Sequence, residues 1–291
     1  MLINRLALGT AQLGLEYGIA NRRGKLTRED AFAALESARK KGIDTLDTAY
    51  VYGESEAVIG EYFLRFPGNF NIISKLPRLD HYDAQTVDNY FSESLSRLKQ
   101  PRIYGYLVHD SAAIAANVDL WRNMESIKRK KRVDKIGVSI YRPEELEYLL
   151  VKRIPFDILQ VPYSIFDQRF ASYFPELKKR KVETYIRSVF LQGLFFLKED
   201  NAGKDFQPAR EAIRNLRKIS KDHGIPINAL CLCFALLNPF TDKVIIGVDS
   251  PEQLNQNINS LGHFDKVKKI CGLLKSLELQ DEEILLPYKW K

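Results

Sequence analysis

Cysteine is scarce in this 291-residue chain: Cys231, Cys233 and Cys271 cannot all pair with one another. Cys231 and Cys233 sit inside an apolar stretch, a pattern of reduced thiols in a reducing compartment rather than of a disulfide framework. The Cys-Leu-Cys spacing has no second ligand cluster near it, so no metal site is expected. No run approaches the roughly 18 consecutive apolar residues that a membrane-spanning helix needs, and no membrane partner is expected. The first residues, Met1-Leu2-Ile3-Asn4-Arg5, lack the charged-then-apolar layout of a secretion signal, and a cytoplasmic location is expected. Gly/Ser-rich and Pro-rich tracts are missing as well, so nothing reads as a linker between domains.

Charge is abundant, with a net value of +7, and part of it lies in Lys128-Arg129-Lys130-Lys131-Arg132 and Lys178-Lys179-Arg180-Lys181. Both runs end predicted helices, where cations suit the carboxyl-terminal dipole. No aromatic-interleaved basic motif accompanies them, so a nucleic-acid partner is not expected.

Short runs rich in Val, Ile and Leu recur along the whole chain, each followed by a segment of helical period. They are Arg5–Thr10, Ile43–Asp47, Phe70–Leu76, Tyr104–His109, Val133–Ser139, Phe156–Val161, Glu183–Val189 and Lys243–Val248. Runs that are continuously apolar, rather than alternating, imply a parallel sheet buried on both faces. The helices carry their usual punctuation. Thr27 with Asp30 opens one that ends at Gly42, Pro143 and Pro251 open two more, and His223-Gly224 closes a segment beginning near Pro208. Eight unbroken strand–helix units predict a closed (β/α)₈ TIM barrel occupying 1–291 as one domain, with a tail from about 280 crossing the barrel mouth. No Gly-x-Gly-x-x-Gly follows any strand, which argues against an open dinucleotide-binding sheet.

In such a barrel the chemistry lies at the carboxyl ends of the strands, and those ends are unusually polar here. The second ends Asp47-Thr48-Ala49-Tyr50-Val51-Tyr52-Gly53, the third Ser74-Lys75-Leu76 and the fourth Leu107-Val108-His109. Asp47, Lys75 and His109 thus converge on one rim, with either Tyr50 or Tyr52 beside them. A lysine ending an apolar strand needs a partner, and Asp47 is the natural one. A cation within reach of a phenol is expected to lower its pKa, making an acid suited to protonating a carbonyl oxygen during hydride addition.

The same residues resemble the aldo/keto reductase superfamily over almost the whole chain. Asp47-Thr48-Ala49-Tyr50-Val51-Tyr52-Gly53 resembles its Asp-Thr-Ala-x-x-Tyr-Gly signature. Leu8-Gly9-Thr10, Ser74-Lys75-Leu76, Leu107-Val108-His109, Ile136-Gly137-Val138-Ser139, Gln160 and Gly247-Val248-Asp249-Ser250-Pro251-Glu252-Gln253-Leu254 follow in family order. The resemblance implies NADPH, with NADH as the alternative, bound across the barrel mouth without a metal, and a small carbonyl substrate. It selects Tyr52 over Tyr50 as the general acid, with Lys75 and Asp47 tuning it and His109 positioning the carbonyl. Ser139 and Gln160 then hold the nicotinamide carboxamide. Asn257 meets the adenine, and the amides after Ser250 take a phosphate. Gly9, Thr10, Ser188, Gly247 and Gln253 complete the cofactor set.

Departures from the family pattern are also visible. Ile140 stands where Asn is usual, and Arg187 where an aromatic residue usually stacks on the nicotinamide. Arg187 is expected to stack on that ring, to contact substrate or to pair with a carboxylate. Gly247 and Gln253 stand where many relatives carry cations for the 2′-phosphate. Tyr17, Tyr50, Phe190 and Trp290 are the expected pocket lining. The Arg187-Ser188-Val189-Phe190-Leu191-Gln192-Gly193 segment resembles a bacterial branch often found with carbohydrate biosynthesis, which suggests a sugar-like carbonyl. Two alternatives compete: a non-catalytic redox-sensing barrel that binds a partner protein, and a barrel lyase using Lys75 as a Schiff-base amine.

Overall fold

The computed structural model describes residues 2–68, 70–197, 206 and 209–290. Eight parallel strands follow one another around a closed barrel. They are β1 Leu6–Gly9, β2 Thr45–Asp47, β3 Asn71–Leu76, β4 Ile103–Val108, β5 Val133–Ser139, β6 Ile158–Pro162, β7 Glu183–Arg187 and β8 Lys243–Gly247. The closing pair, β8 on β1, brings Gly247 opposite Gly9. Every strand lies within two residues of its predicted run.

Helices cover the outside because each strand is apolar on both faces. Arg28–Lys41 shows how one is specified: the Thr27 hydroxyl accepts from the Asp30 N–H, and Gly42 closes the helix at φ +89°. Its buried face, Ala31, Ala34, Leu35 and Ala38, is mostly methyl-sized, so the helix packs close to the sheet. Pro143 and Pro251 stand in the first turns of Pro143–Val151 and Pro251–Ser260, as expected. The segment closed by His223-Gly224 is helical over Arg210–His223; Pro208 lies outside the described residues. Ile227–Leu237 is apolar all round and nearly all buried, and burial raises the Cys231 and Cys233 thiols well above their ordinary values. Among the described residues no helix is long and apolar enough to cross a membrane.

Inside the barrel, strand period decides everything that follows. One layer, Ala7, Ile73, Leu107, Ile158, Tyr185 and Ile245, is a compact apolar cluster separate from the main core. Below it the floor is closed from within, by Tyr104 donating to Glu183 at 2.8 Å and by Lys135 pairing with the same carboxylate. Side chains two residues further along a strand share its face. One step above the apolar layer therefore stand Gly9, Lys75, His109, Gln160, Arg187 and Gly247, with Asp47 and Ser139 on the remaining strand ends.

Candidate active site

Lys75 is fully buried, and its ammonium donates to Asp47 Oδ2 and to the Thr48 carbonyl, each at 2.8 Å. Asp47 is held from the other side by the Gln160 amide, 2.7 Å from Oδ1. Burial lowers the Lys75 pKa, and the Asp47 charge acts against that shift. Above this pair lies Tyr52, with the Lys75 ammonium 5.2 Å from its ring centroid. His109 meets Tyr52 edge-on, the centroids 6.0 Å apart and the planes at 81°.

The expected lowering of the Tyr52 pKa does not appear. Burial pushes the phenol well above its ordinary value and the Asp47 charge adds to that, with Arg187 the charge that opposes it. The reason is that Lys75 is neutralised by Asp47, so it offers the phenolate little net charge, while burial penalises the phenolate in full. Burial also lowers His109, to about 3, with Lys75 and Arg187 contributing in the same direction. Tyr52 is thus a phenol that keeps its proton, next to an imidazole that stays neutral.

Backbone packing fixes where Tyr52 points. A methyl group on Gly14 would come within 1.8 Å of the Tyr52 carbonyl oxygen, and one on Gly53, at φ +54°, within 2.5 Å of the Gly14 oxygen. The turn after β2 therefore lies directly on the loop after β1. A buried hydroxyl cluster clamps the same junction: Ser55 donates to Thr10, and the Thr10 hydroxyl donates to the Asp47 carbonyl at 3.0 Å. Thr10, expected to serve the cofactor, spends its hydroxyl on this scaffold.

A cavity of about 280 Å³ opens over Asp47, Tyr52, His109 and Gln160, with Gly9, Tyr17, Ser188, Phe190 and Arg187 in its walls. It shares Phe190, Phe196, Gly247 and Gln253 with a second cavity of about 540 Å³ that reaches Asn257 and His263. Together they form a continuous trough from the phenol to the Pro251–Ser260 helix. Ser250 caps that helix, its hydroxyl accepting from the Gln253 N–H. Ser139 opens instead onto a neighbouring groove, with His109, Tyr141 and Tyr288.

Two of the expected lining residues lie elsewhere. Tyr50 turns outward, donating to Glu93 at 2.9 Å under the Arg97 guanidinium, because the turn that aims Tyr52 inward sends Tyr50 to the opposite side. Trp290 donates to the Glu283 carbonyl and packs on Phe206, while Pro287 of the same tail reaches the cavity. Among the described residues no carboxylate pairs with Arg187; it donates to the Ile140 carbonyl at 2.9 Å and to Ser188, and its face lies 3.8 Å from the Tyr141 ring centroid. Sequence reading missed Tyr141, which strand parity from Ser139 points to. It also missed Gln12, which sits in the single 3₁₀ turn Ala11–Leu13, too short to carry a periodic signal.

A model of the aldo/keto reductase family matches residues 5–277. The chain belongs to the aldo/keto reductase family. It is an oxidoreductase of that family, built on the family's barrel. An uncharacterized oxidoreductase of Bacillus subtilis is 26% identical, covering 94% of this chain and 96% of its own. A pyridoxal 4-dehydrogenase of Microbacterium luteolum is 24% identical, covering 89% of each. An L-galactose dehydrogenase of Arabidopsis thaliana is 22% identical, covering 99% and 92%. Among solved structures, an aldo-keto reductase from Bacillus halodurans in its holo form superposes with a TM-score of 0.75 at 20% identity, covering 96% and 95%. At that identity the superposition speaks for the fold alone.

Proposed function

We propose that this aldo/keto reductase interconverts an aldehyde or ketone and its alcohol with a nicotinamide nucleotide, Tyr52 giving and taking the proton. The observation that carries this reading is the buried Lys75–Asp47 pair directly beneath a phenol at the floor of an open cavity. Burying two charges costs several kcal/mol, and such a pair at the catalytic end of a barrel is a functional arrangement. In this reading the whole chain is one catalytic domain, with the tail from about 280 shaping the mouth.

The trough suits an extended dinucleotide, and His263 Nδ1 on its wall has no hydrogen-bond partner among the described residues. The Gln160 side chain on the cavity wall and Ser139, at the edge of the adjoining groove that shares His109 and Tyr141, would hold the carboxamide. Gly9 and Gly247 leave room at the rim, Gln253 and Asn257 bind the adenosine end, and the first amides after Ser250 take a phosphate. The bound nucleotide supplies the hydride. His109, neutral through the working pH range, donates a hydrogen bond to the carbonyl oxygen. Tyr52, kept protonated by its burial, delivers its proton as negative charge develops there, and Arg187, the charge that favours the phenolate, stabilises what is left behind. Reversal of the same steps oxidises the alcohol.

The far end of the trough is lined by neutral amides, Asn228, Gln253, Gln256, Asn257 and Asn259, with no lysine or arginine among its described lining. That supports NADH over NADPH, because a 2′-phosphate would find no cation there. Fluorescence titration with both nucleotides tests the reading, with tighter binding of NADH expected. Tyr52→Phe then lowers aldehyde reduction by at least about 100-fold at nearly unchanged nucleotide affinity. Failure of both nucleotides to bind, or full turnover by Tyr52→Phe, would remove the assignment.

A further inference from the structure

The described lining of the cavity holds two carboxylates: Asp47 is taken by Lys75, and Asp249 is held by Gln253 and Gln12 rather than by Arg187. Lys75 is matched by Asp47, while Tyr52 and His109 stay neutral. Arg187 adds a positive charge that, among the described residues, bonds to the Ile140 carbonyl and the Ser188 hydroxyl and lies over the Tyr141 ring. Its field reaches the reacting groups, since it acts on the titration of both Tyr52 and His109. Among the described residues nothing else bonds to the guanidinium fork, which borders the cavity.

The chain bends hard to hold it there. Ser188 sits at φ +61° immediately after Arg187, and Leu191 and Gln192 follow at φ 44° and φ 50°. Non-glycine residues in the left-handed region are strained, and such strain gathers where a side chain must be aimed. Ser188 and the face of Tyr141 then lock the plane of the guanidinium, which is the preparation that two-point recognition of a planar anion requires.

We propose that Arg187 is a specificity-determining residue that selects carbonyl substrates carrying a carboxylate, so that the enzyme's substrates are oxo acids and aldehyde acids rather than neutral carbonyls. This rests on the reading of the mouth as a carbonyl-reducing site. The carboxylate of the substrate pairs with the guanidinium, and that end, gripped by the fork, orients the carbonyl toward Tyr52 and His109.

The test uses two matched pairs of substrates, 4-oxobutanoate against butanal and 4-carboxybenzaldehyde against 4-methylbenzaldehyde. In the wild type, kcat/KM is at least tenfold higher for the acid of at least one pair, mainly through KM, and the preference shrinks with added salt. In Arg187→Gln the ratio falls to about one, and Arg187→Lys recovers part of it. Calorimetry with 4-(hydroxymethyl)benzoate and benzyl alcohol gives a readout free of turnover. The acid binds the wild type, and Arg187→Gln abolishes that binding. Two results overturn the proposal while leaving the reductase reading intact. One is reduction of the neutral aldehydes with no preference for either acid. The other is a preference that survives Arg187→Gln, including the case where that variant instead weakens NADH binding tenfold. If no aldehyde is reduced, the reductase reading fails by itself, and the calorimetry then decides whether Arg187 takes an anion: Arg187-dependent binding upholds that, and absence of binding overturns it.

Discussion

His109 is refused a proton by its surroundings, burial first and the charges of Lys75 and Arg187 after it, which take the imidazole down to about 3. In the unfolded chain it titrates near about 6.5. Between those two values the unfolded chain binds a proton that the folded one does not, so stability falls as pH falls through that window and is fully restored above it. Between pH 7.5 and pH 5.0 the wild type should lose about 2 kcal/mol more than His109→Asn, measured by urea unfolding at each pH. Equal losses in the two proteins would mean that the imidazole titrates normally in the folded state. The same neutrality matters for chemistry, because an imidazole with one N–H can donate to a carbonyl oxygen without adding a second charge beside Lys75.

Elements meet at the site through backbone rather than side chains. Gly14 and Gly53 allow the loop after β1 and the turn after β2 to touch, with Ser55 tying Thr10 and Thr48 together beneath them. An alanine at position 14 cannot fit without moving the Tyr52 carbonyl, and the phenol moves with it. Displacement by about 1 Å is enough to cost about 100-fold in rate. Gly14→Ala is therefore expected to lower kcat by roughly that factor. Gly262→Ala, where an added methyl group meets nothing within 4 Å, stays within about 0.5 kcal/mol of wild type and keeps its rate. Kinetics and urea unfolding on the two variants separate the outcomes; an unimpaired Gly14→Ala enzyme would show that the junction does not position Tyr52.

At the scale of the whole molecule, the last residues return to the mouth from outside the barrel. Arg142 grips Glu282 through two bonds, of 3.0 and 2.6 Å, and Tyr288 packs edge-on against Tyr141, the ring that carries Arg187. Both partners of the ion pair are partly exposed, so its loss costs at most about 1 kcal/mol of stability. Its effect on substrate binding is larger, since Tyr141 and Pro287 both face the cavity. Arg142→Ala should raise the KM for aldehyde severalfold with little change in melting temperature. An unchanged KM would detach the tail from the shaping of the pocket.

Much of this was legible in the order of the residues. Continuous apolar runs gave the eight strands because a strand buried on both faces needs no alternation. The Asp47-to-Tyr52 spacing and the lysine closing β3 marked the rim because charge at the end of an apolar strand demands a partner. Helix ends were readable at Thr27, Gly42, Pro143 and Pro251, where capping is a matter of a few adjacent residues. Only the tertiary structure decided the rest. Tyr50 and Tyr52 are two residues apart, yet one faces Glu93 and the other Lys75. The Tyr52 pKa goes up rather than down because burial penalises the phenolate, and the Asp47 charge adds to that. Arg187 could have met a carboxylate and instead meets Tyr141 and a carbonyl oxygen. Periodicity and capping are set by near neighbours along the chain, whereas burial and charge balance are set by distances that exist only once the barrel has closed.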